Sequence, residues 1–323
     1  MRVLSQVVLF SFVFGSIGPL EVSYLLSKGN ALESVMAFLL FSPTVLVLYS
    51  AMKLKASYGG LYDQIKAFLP NASMLFAVLW TISYFLYLCY TVYFITYYVL
   101  PLSGAQFIAT TLSLIGLITL VALLDLEPYS AVPLSLLQLV IMIPIPHLWS
   151  PKHLDLTVSL PSVASSSLLP VCITLSSFLG ERLAKDVYLL PISYALASGL
   201  AVIDSFFAPA NLTYLFTSFA SLGLILVEFF AVKNVLVKSF GWRKGLVVGG
   251  FVALSLVGLV DPSAYYNYLI IPSLIALYAS LSIFFASASI YYARKGSFEL
   301  IFSSLSTALM VYGLYTSVTP ILT

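Results

Sequence analysis

Three acidic side chains of this 323-residue chain stand in or beside stretches that are otherwise apolar: Glu21, Glu181 and Glu228. An ionisable group in such company is costly unless it is paired or does work. Glu228, within Leu224–Phe230, has the most apolar neighbours of the three. It is a candidate proton carrier; the alternatives are a structural hydrogen bond or a side chain snorkelling towards Lys233. Glu21 could hold a substrate amine or a proton, or could simply face outwards near a helix end. Glu181 can pair with Lys185 one helical turn on.

Two of these acids close segments that a helix cannot run through easily. The first reads Phe14-Gly15-Ser16-Ile17-Gly18-Pro19-Leu20-Glu21, and the second Thr174-Leu175-Ser176-Ser177-Phe178-Leu179-Gly180-Glu181. Glycines weaken the helix, and Pro19 removes a backbone donor. Interrupted backbone survives at membrane depth only where protein buries it or a polar cavity adjoins it. A broken helix also exposes N–H groups at one half-end and carbonyls at the other, which suit an anion and a cation respectively. The alternative for each segment alone is a simple kink or a close helix contact.

The elements that position these residues follow from composition. The sequence is 61% hydrophobic and 8% charged, with a mean hydropathy of +1.06. Soluble domains carry about a quarter charged residues, so the expected class is an all-α polytopic membrane protein. About 20 apolar residues cross a bilayer as a helix. That rule yields eleven spans, at about 3–27, 32–54, 72–100, 105–125, 129–147, 162–184, 187–208, 212–237, 244–260, 265–293 and 298–320. The connections are short, and the whole chain is expected to be one membrane domain. Residues 1–148 hold five spans, residues 161–295 five more, and residues 297–323 an additional helix. The interruptions then fall in spans one and six. Five is odd, so the halves would insert in opposite senses, and matched breaks in inverted halves point to a solute site between them.

Charge gives the threading. With the N-terminus cytoplasmic, twelve of the 14 Lys and Arg residues fall on the inner side, leaving Lys28 and Lys152 outside. The expected location is the cell membrane, with the C-terminus external. The stretch from Val3 to about Leu26 has no A-x-A cleavage site and is read as a retained helix. Asp204 and Asp261 fall at outer ends and are read as solvated. Tyr84, Tyr87, Tyr90, Tyr93 and Tyr97 share one face of span three, either lining a pathway or packing with their hydroxyls bonded to neighbouring helices. The net charge of +2 leaves no nucleic-acid footprint. His147 and His153 lie at one loop, so haem ligation between facing helices is excluded. No H-E-x-x-H or G-x-S-x-G signature occurs, so the chain is expected not to be an enzyme and to hold no cofactor or metal. The competing reading is a non-transporting subunit that anchors a larger membrane complex.

At its two interruptions the chain resembles the amino acid–polyamine–organocation superfamily of permeases. The resemblance rests on Gly15-Ser16-Ile17-Gly18 in span one and on Tyr58-Gly59-Gly60-Leu61-Tyr62 after span two. Phe178-Leu179-Gly180-Glu181 in span six also contributes, and the likeness is clearest over about residues 10–100. It implies a LeuT-like core of two inverted five-helix repeats and a secondary transporter of amino acids or related amines, driven by H+ or Na+. It further implies a substrate carboxylate on the amides of Ser16, Ile17 and Gly18, with Gly15 beside them. The amine would meet the carbonyls of Ser176 and Ser177 next to Gly180, and Phe178 would be an aromatic lid. Sodium, where used, would take hydroxyls from Ser218 and Ser221. Glu228 and Glu21 remain the candidates for proton coupling.

Overall fold

The computed structural model describes residues 2–152, 157–180, 183 and 185–322, with the side chains of residues 2–4 and 320–322 set aside. The expected contacts of Glu181 and of His153 therefore lie outside the described residues. The fold is almost wholly helical. In chain order the helices are α1 (Arg2–Ile17), α2 (Pro19–Ser27), α3 (Ala31–Leu54), α4 (Leu61–Phe68), α5 (Ser73–Tyr93), α6 (Gly104–Leu123) and α7 (Glu127–Ile141). They continue as α8 (Leu160–Ser166), α9 (Leu189–Asp204), α10 (Asn211–Lys233), α11 (Lys244–Val257), α12 (Pro262–Lys295) and α13 (Glu299–Leu322). Two three-residue strands, β1 (Trp149–Pro151) and β2 (Phe207–Pro209), pair antiparallel with Ser150 opposite Ala208.

Among the described residues, eight helical segments are long and apolar enough to cross a bilayer. The chain is an all-α, multi-pass membrane protein. Where spans were expected at 129–147, 187–208 and 244–260 the structure has α7, α9 and α11, helices of 15, 16 and 14 residues that are not among those eight. Each falls short of the 20-residue rule because turns, a strand or a proline take over where the apolar run continues. Large hydrophobics such as Leu39 and Val260 point outwards, as side chains facing lipid do.

Span one is divided. Gly18 adopts φ 62° and ψ 49°, and α2 restarts at Pro19. A residue before proline is disfavoured in the right-handed helical region, and glycine enters the left-handed one without penalty. Proline then suits the first position of a new helix, where a missing N–H costs nothing. Two residues thus stop one helix and start the next. The irregularity in span six is longer than expected. It runs as a 3-10 helix over Leu169–Leu179 and ends at Gly180, φ 63° and ψ −141°. It begins five residues before Thr174, and Pro170 supplies a reason, since it has no amide to donate. Hydroxyls favour the tighter winding: Ser176 Oγ donates to Ile173 O, three residues back. A 3-10 turn at Pro70–Ala72 and two π-helical turns, Phe94–Val99 after α5 and Asn234–Ser239 after α10, also depart from α geometry; π-helical turns are often found at functional sites.

Candidate functional site: a cavity between two interrupted helices

A cavity of about 380 Å3 adjoins both interruptions. Ile17, Gly18 and Glu21 reach it from span one, and Leu168, Val171 and Cys172 from the start of the 3-10 segment. Tyr87 of α5, Leu224 of α10 and Tyr278 of α12 complete much of the wall. Its volume lies near the lower end of ordinary small-molecule pockets. Glu21 is the one charged side chain on the lining among the described residues. It is half-buried in the first turn of α2, where its charge meets the positive end of the half-helix. Its Oε2 accepts a hydrogen bond from Ser221 Oγ of α10 at 3.1 Å. Two tyrosines, Tyr87 and Tyr278, and a single carboxylate thus share the wall, groups of the kind that attract a cation.

The amides at the first break are already engaged. Gly18 N–H donates to Gly15 O at 3.0 Å, and Leu20 N–H donates to Gln138 Oε1 at 3.4 Å. Ser16 and Ile17 belong to the last turn of α1, and Ser16 Oγ returns to Val13 O. Gly15 and Gly18 serve close packing: a Cβ on Gly15 would lie 2.9 Å from Ser135 Oγ, and one on Gly18 2.8 Å from Leu224 Cδ1. Gln138, fully buried on α7, keeps its Nε2 without a partner among the described residues.

The later part of the sixth-span segment points elsewhere. Ser176, Ser177, Phe178 and Gly180 are buried and do not line the cavity. Phe178 stacks on Trp80 with ring centroids 4.4 Å apart. Its ring lies over Gly60, where a Cβ would come within 2.5 Å of Phe178 Cδ1. Gly180 approaches the same loop, since its Cβ would lie 2.8 Å from Tyr58 N. The Tyr58-Gly59-Gly60 element and the Phe178–Gly180 end therefore require each other's glycines. Asn234 Nδ2, in the second π-helical turn, donates to Phe178 O at 3.3 Å. Ser177 Oγ has no partner among the described residues.

Glu228 is fully buried, with Oε1 4.0 Å from Cys172 Sγ and Oε2 unpartnered among the described residues. It does not snorkel to Lys233, whose Nζ bonds Glu127 Oε1, Asp125 Oδ1 at 2.7 Å and Ala122 O at 3.1 Å. Cys172 thus connects Glu228 to the cavity that Glu21 faces. Ser221 joins this group through Glu21, whereas Ser218 is half-buried and bonds Leu215 O. Of the tyrosine stripe, Tyr87 lines the cavity, and Tyr84 meets Thr174 Oγ1 at 3.3 Å. Tyr93 bonds Ser255 O, Tyr90 packs edge-on to Tyr266, and Tyr97 is exposed. Packing explains most of the stripe.

Asp261 is exposed and caps α12 through Ala264 N, as a solvated residue would. Asp204 departs from expectation. It is fully buried and accepts a hydrogen bond from Ser23 Oγ of α2, because β2 and α2 close over the end of α9. The partners of Lys233 were also not foreseen: a lysine with carboxylates more than a hundred residues away carries no local signature.

No protein-family model and no curated protein sequence matches the chain.

Proposed function

We propose that the chain is a secondary transporter of an amino acid or a related small amine, working by alternating access and driven by H+ or Na+. The observation that carries this reading is the cavity touching both interrupted spans with one carboxylate in its wall. The ammonium end of the solute would meet Glu21 and the ring faces of Tyr87 and Tyr278. A substrate carboxylate would need amides that Gly15 O and Gln138 now occupy, so the amine end is the better recognised of the two. Glu228, one thiol removed from the cavity, would exchange a proton as the solute binds. Ser221 is the hydroxyl nearest to this role.

The proposed frame is eleven crossings, ten of them in two inverted five-helix repeats of the LeuT type, as in the amino acid–polyamine–organocation superfamily. Pairing between distant loops supports it. Segments assigned to the outer side touch one another: β1 pairs with β2, Lys152 Nζ bonds Ser27 O and Gly29 O, and Asn30 bonds Thr157 O. Tyr98 OH meets Ser263 Oγ on that side too. Segments assigned to the inner side do the same: Lys244 with Asp125, Lys238 over the Tyr58 ring, Gln6 with Asp186, and Phe68 against Tyr291. On this frame α7, α9 and α11 cross despite their length. Lys244 at one end of α11 meets Asp125, and Ser263, just beyond the other end, meets Tyr98.

The test is uptake into proteoliposomes of labelled amino acids and of simple mono- and diamines, with an imposed proton or sodium gradient. Saturable uptake of at least one amine-bearing solute is expected. Glu21→Gln should weaken its apparent affinity at least tenfold, while Glu228→Gln should remove the dependence on the proton gradient. No saturable uptake, together with stable co-purification with a cytochrome, would instead support the anchoring-subunit reading.

A further inference from the structure

A second carboxylate, outside the cavity, holds the other side of the same half-helix. Residues two apart on a helix project to nearly opposite faces. Glu21 ties α2 to α10 through Ser221, and Ser23 ties α2 to α9 through Asp204. Asp204 is the last residue of α9 and is fully buried. Its Oδ2 accepts from Ser23 Oγ, and its Oδ1 has no partner among the described residues.

The charged groups around it are all committed elsewhere. On α2, Glu21 bonds Ser221, and Lys28 lies over the Tyr24 ring at 4.3 Å. On α3, Glu33 accepts from Ser159 N and Ser162 Oγ. Next to β1, Lys152 bonds Ser27 O and Gly29 O. The described side chains of α1 and β2 bear no charge, and Asp186, before α9, accepts from Gln6. The ion pairs among the described residues all lie at Lys233 and Lys244. A buried carboxylate with one neutral donor and no countercharge is expensive to keep ionised.

We infer that Asp204 is a reversible proton-binding site that latches α2 against α9. The proton adds to the free Oδ1, converting carboxylate to carboxylic acid with no other bond broken, while Oδ2 keeps the Ser23 bond. Loss of that proton leaves a charge that only water can settle, and water reaches it when α2 moves off α9. Occupancy of Asp204 therefore sets the position of the half-helix whose other face carries Glu21.

The test uses the full chain in nanodiscs without substrate, so its outcome is independent of the transport reading. Infrared difference spectra are recorded against pH in the carboxylic-acid carbonyl region. The expected result is a carboxylic-acid band that is lost on raising the pH, is missing in Asp204→Asn, and shifts in Ser23→Ala. The Ser23→Ala variant keeps the acid and removes its hydroxyl partner, so it assigns the band even if Asp204→Asn does not fold. A band unmoved by Ser23→Ala would overturn the inference, as would the absence of any such band throughout the pH range in which the protein stays folded. Persistence of the band at every pH would make Asp204 a permanent structural acid and refute reversible binding. Loss of the band on adding sodium at fixed pH would make the site a cation site instead.

Discussion

Replacing Lys233 by methionine removes the cation that neutralises Glu127. Lys233 is 4% exposed and Glu127 is fully buried, with Oε2 unpartnered among the described residues. Breaking a buried pair from one side costs about 3–5 kcal/mol, because the remaining charge has no water to turn to. Glu127→Met is milder, about 1–3 kcal/mol, because Lys233 keeps Asp125 and the Ala122 carbonyl. In the double variant neither buried charge remains, and Asp125 still has Lys244 at 2.8 Å. Methionine fills similar volume, and replacing a whole buried pair by apolar side chains is often neutral or stabilising. The double variant should therefore be more stable than Lys233→Met alone, and less destabilised than the sum of the singles by about 2 kcal/mol or more. Reversible unfolding in mixed micelles, followed by tryptophan fluorescence, measures all four proteins. Additive losses would refute the reasoning, since they would mean that Lys233 does not compensate Glu127.

Acid should weaken the same cluster. Burial opposes the charge of Asp125, but hydrogen bonds and charge from Lys233 and Lys244 outweigh it and hold the carboxyl below its usual range. A carboxyl with a lowered folded-state pKa contributes stability above its unfolded pKa of about 3.9, and loses it as pH falls through the folded value. Unfolding titrations should show a component lost below about pH 4 that is missing in Asp125→Asn. Gly60→Ala should cost roughly 2–5 kcal/mol, combining a strained backbone with overlap against a pinned ring: φ is 52° and ψ −128°, and Phe178 is trapped on Trp80. Gly18→Ala should cost less, about 1–2 kcal/mol, because its left-handed geometry is milder and the atom it meets is the free end of Leu224. The reverse order in the same assay would contradict the packing assigned to the Tyr58-Gly59-Gly60 loop.

What could be read from the sequence was what depends on neighbours along the chain. Gly18-Pro19 carries its own stop and restart, so the place of the first break was legible, although Ser16 and Ile17, expected at the break, stay in the last turn of α1. In span six the glycine gave the end of the irregular stretch, but Pro170 was the missed sign of its beginning. Composition gave the membrane class, and eight of the described helical segments are long and apolar enough to cross, whereas three expected spans proved to be helices of 14 to 16 residues. Positions governed by distant partners were opaque. Asp204 looked solvated at an outer helix end, yet Ser23, 181 residues earlier, lies against it. Glu228 and Lys233, five residues apart, suggested each other; the lysine turns instead to Glu127, and the acid towards Cys172. The Phe178 lid was what the resemblance implied, but Gly60 and Trp80 enclose that ring away from the cavity.

The most direct measurement uses a thiol already in the wall. Cys172 lines the cavity, while Cys89 is buried away from it, so Cys89→Ser leaves one reporter. Small cationic and anionic methanethiosulfonates should differ at a pocket that carries one carboxylate. The cationic reagent is expected to modify Cys172 at least tenfold faster, and a transported amine to protect it in a saturable manner. Equal rates for both reagents without protection by any amine, or a Cys172 as inert as Cys89, would contradict a solute site between the two interrupted helices.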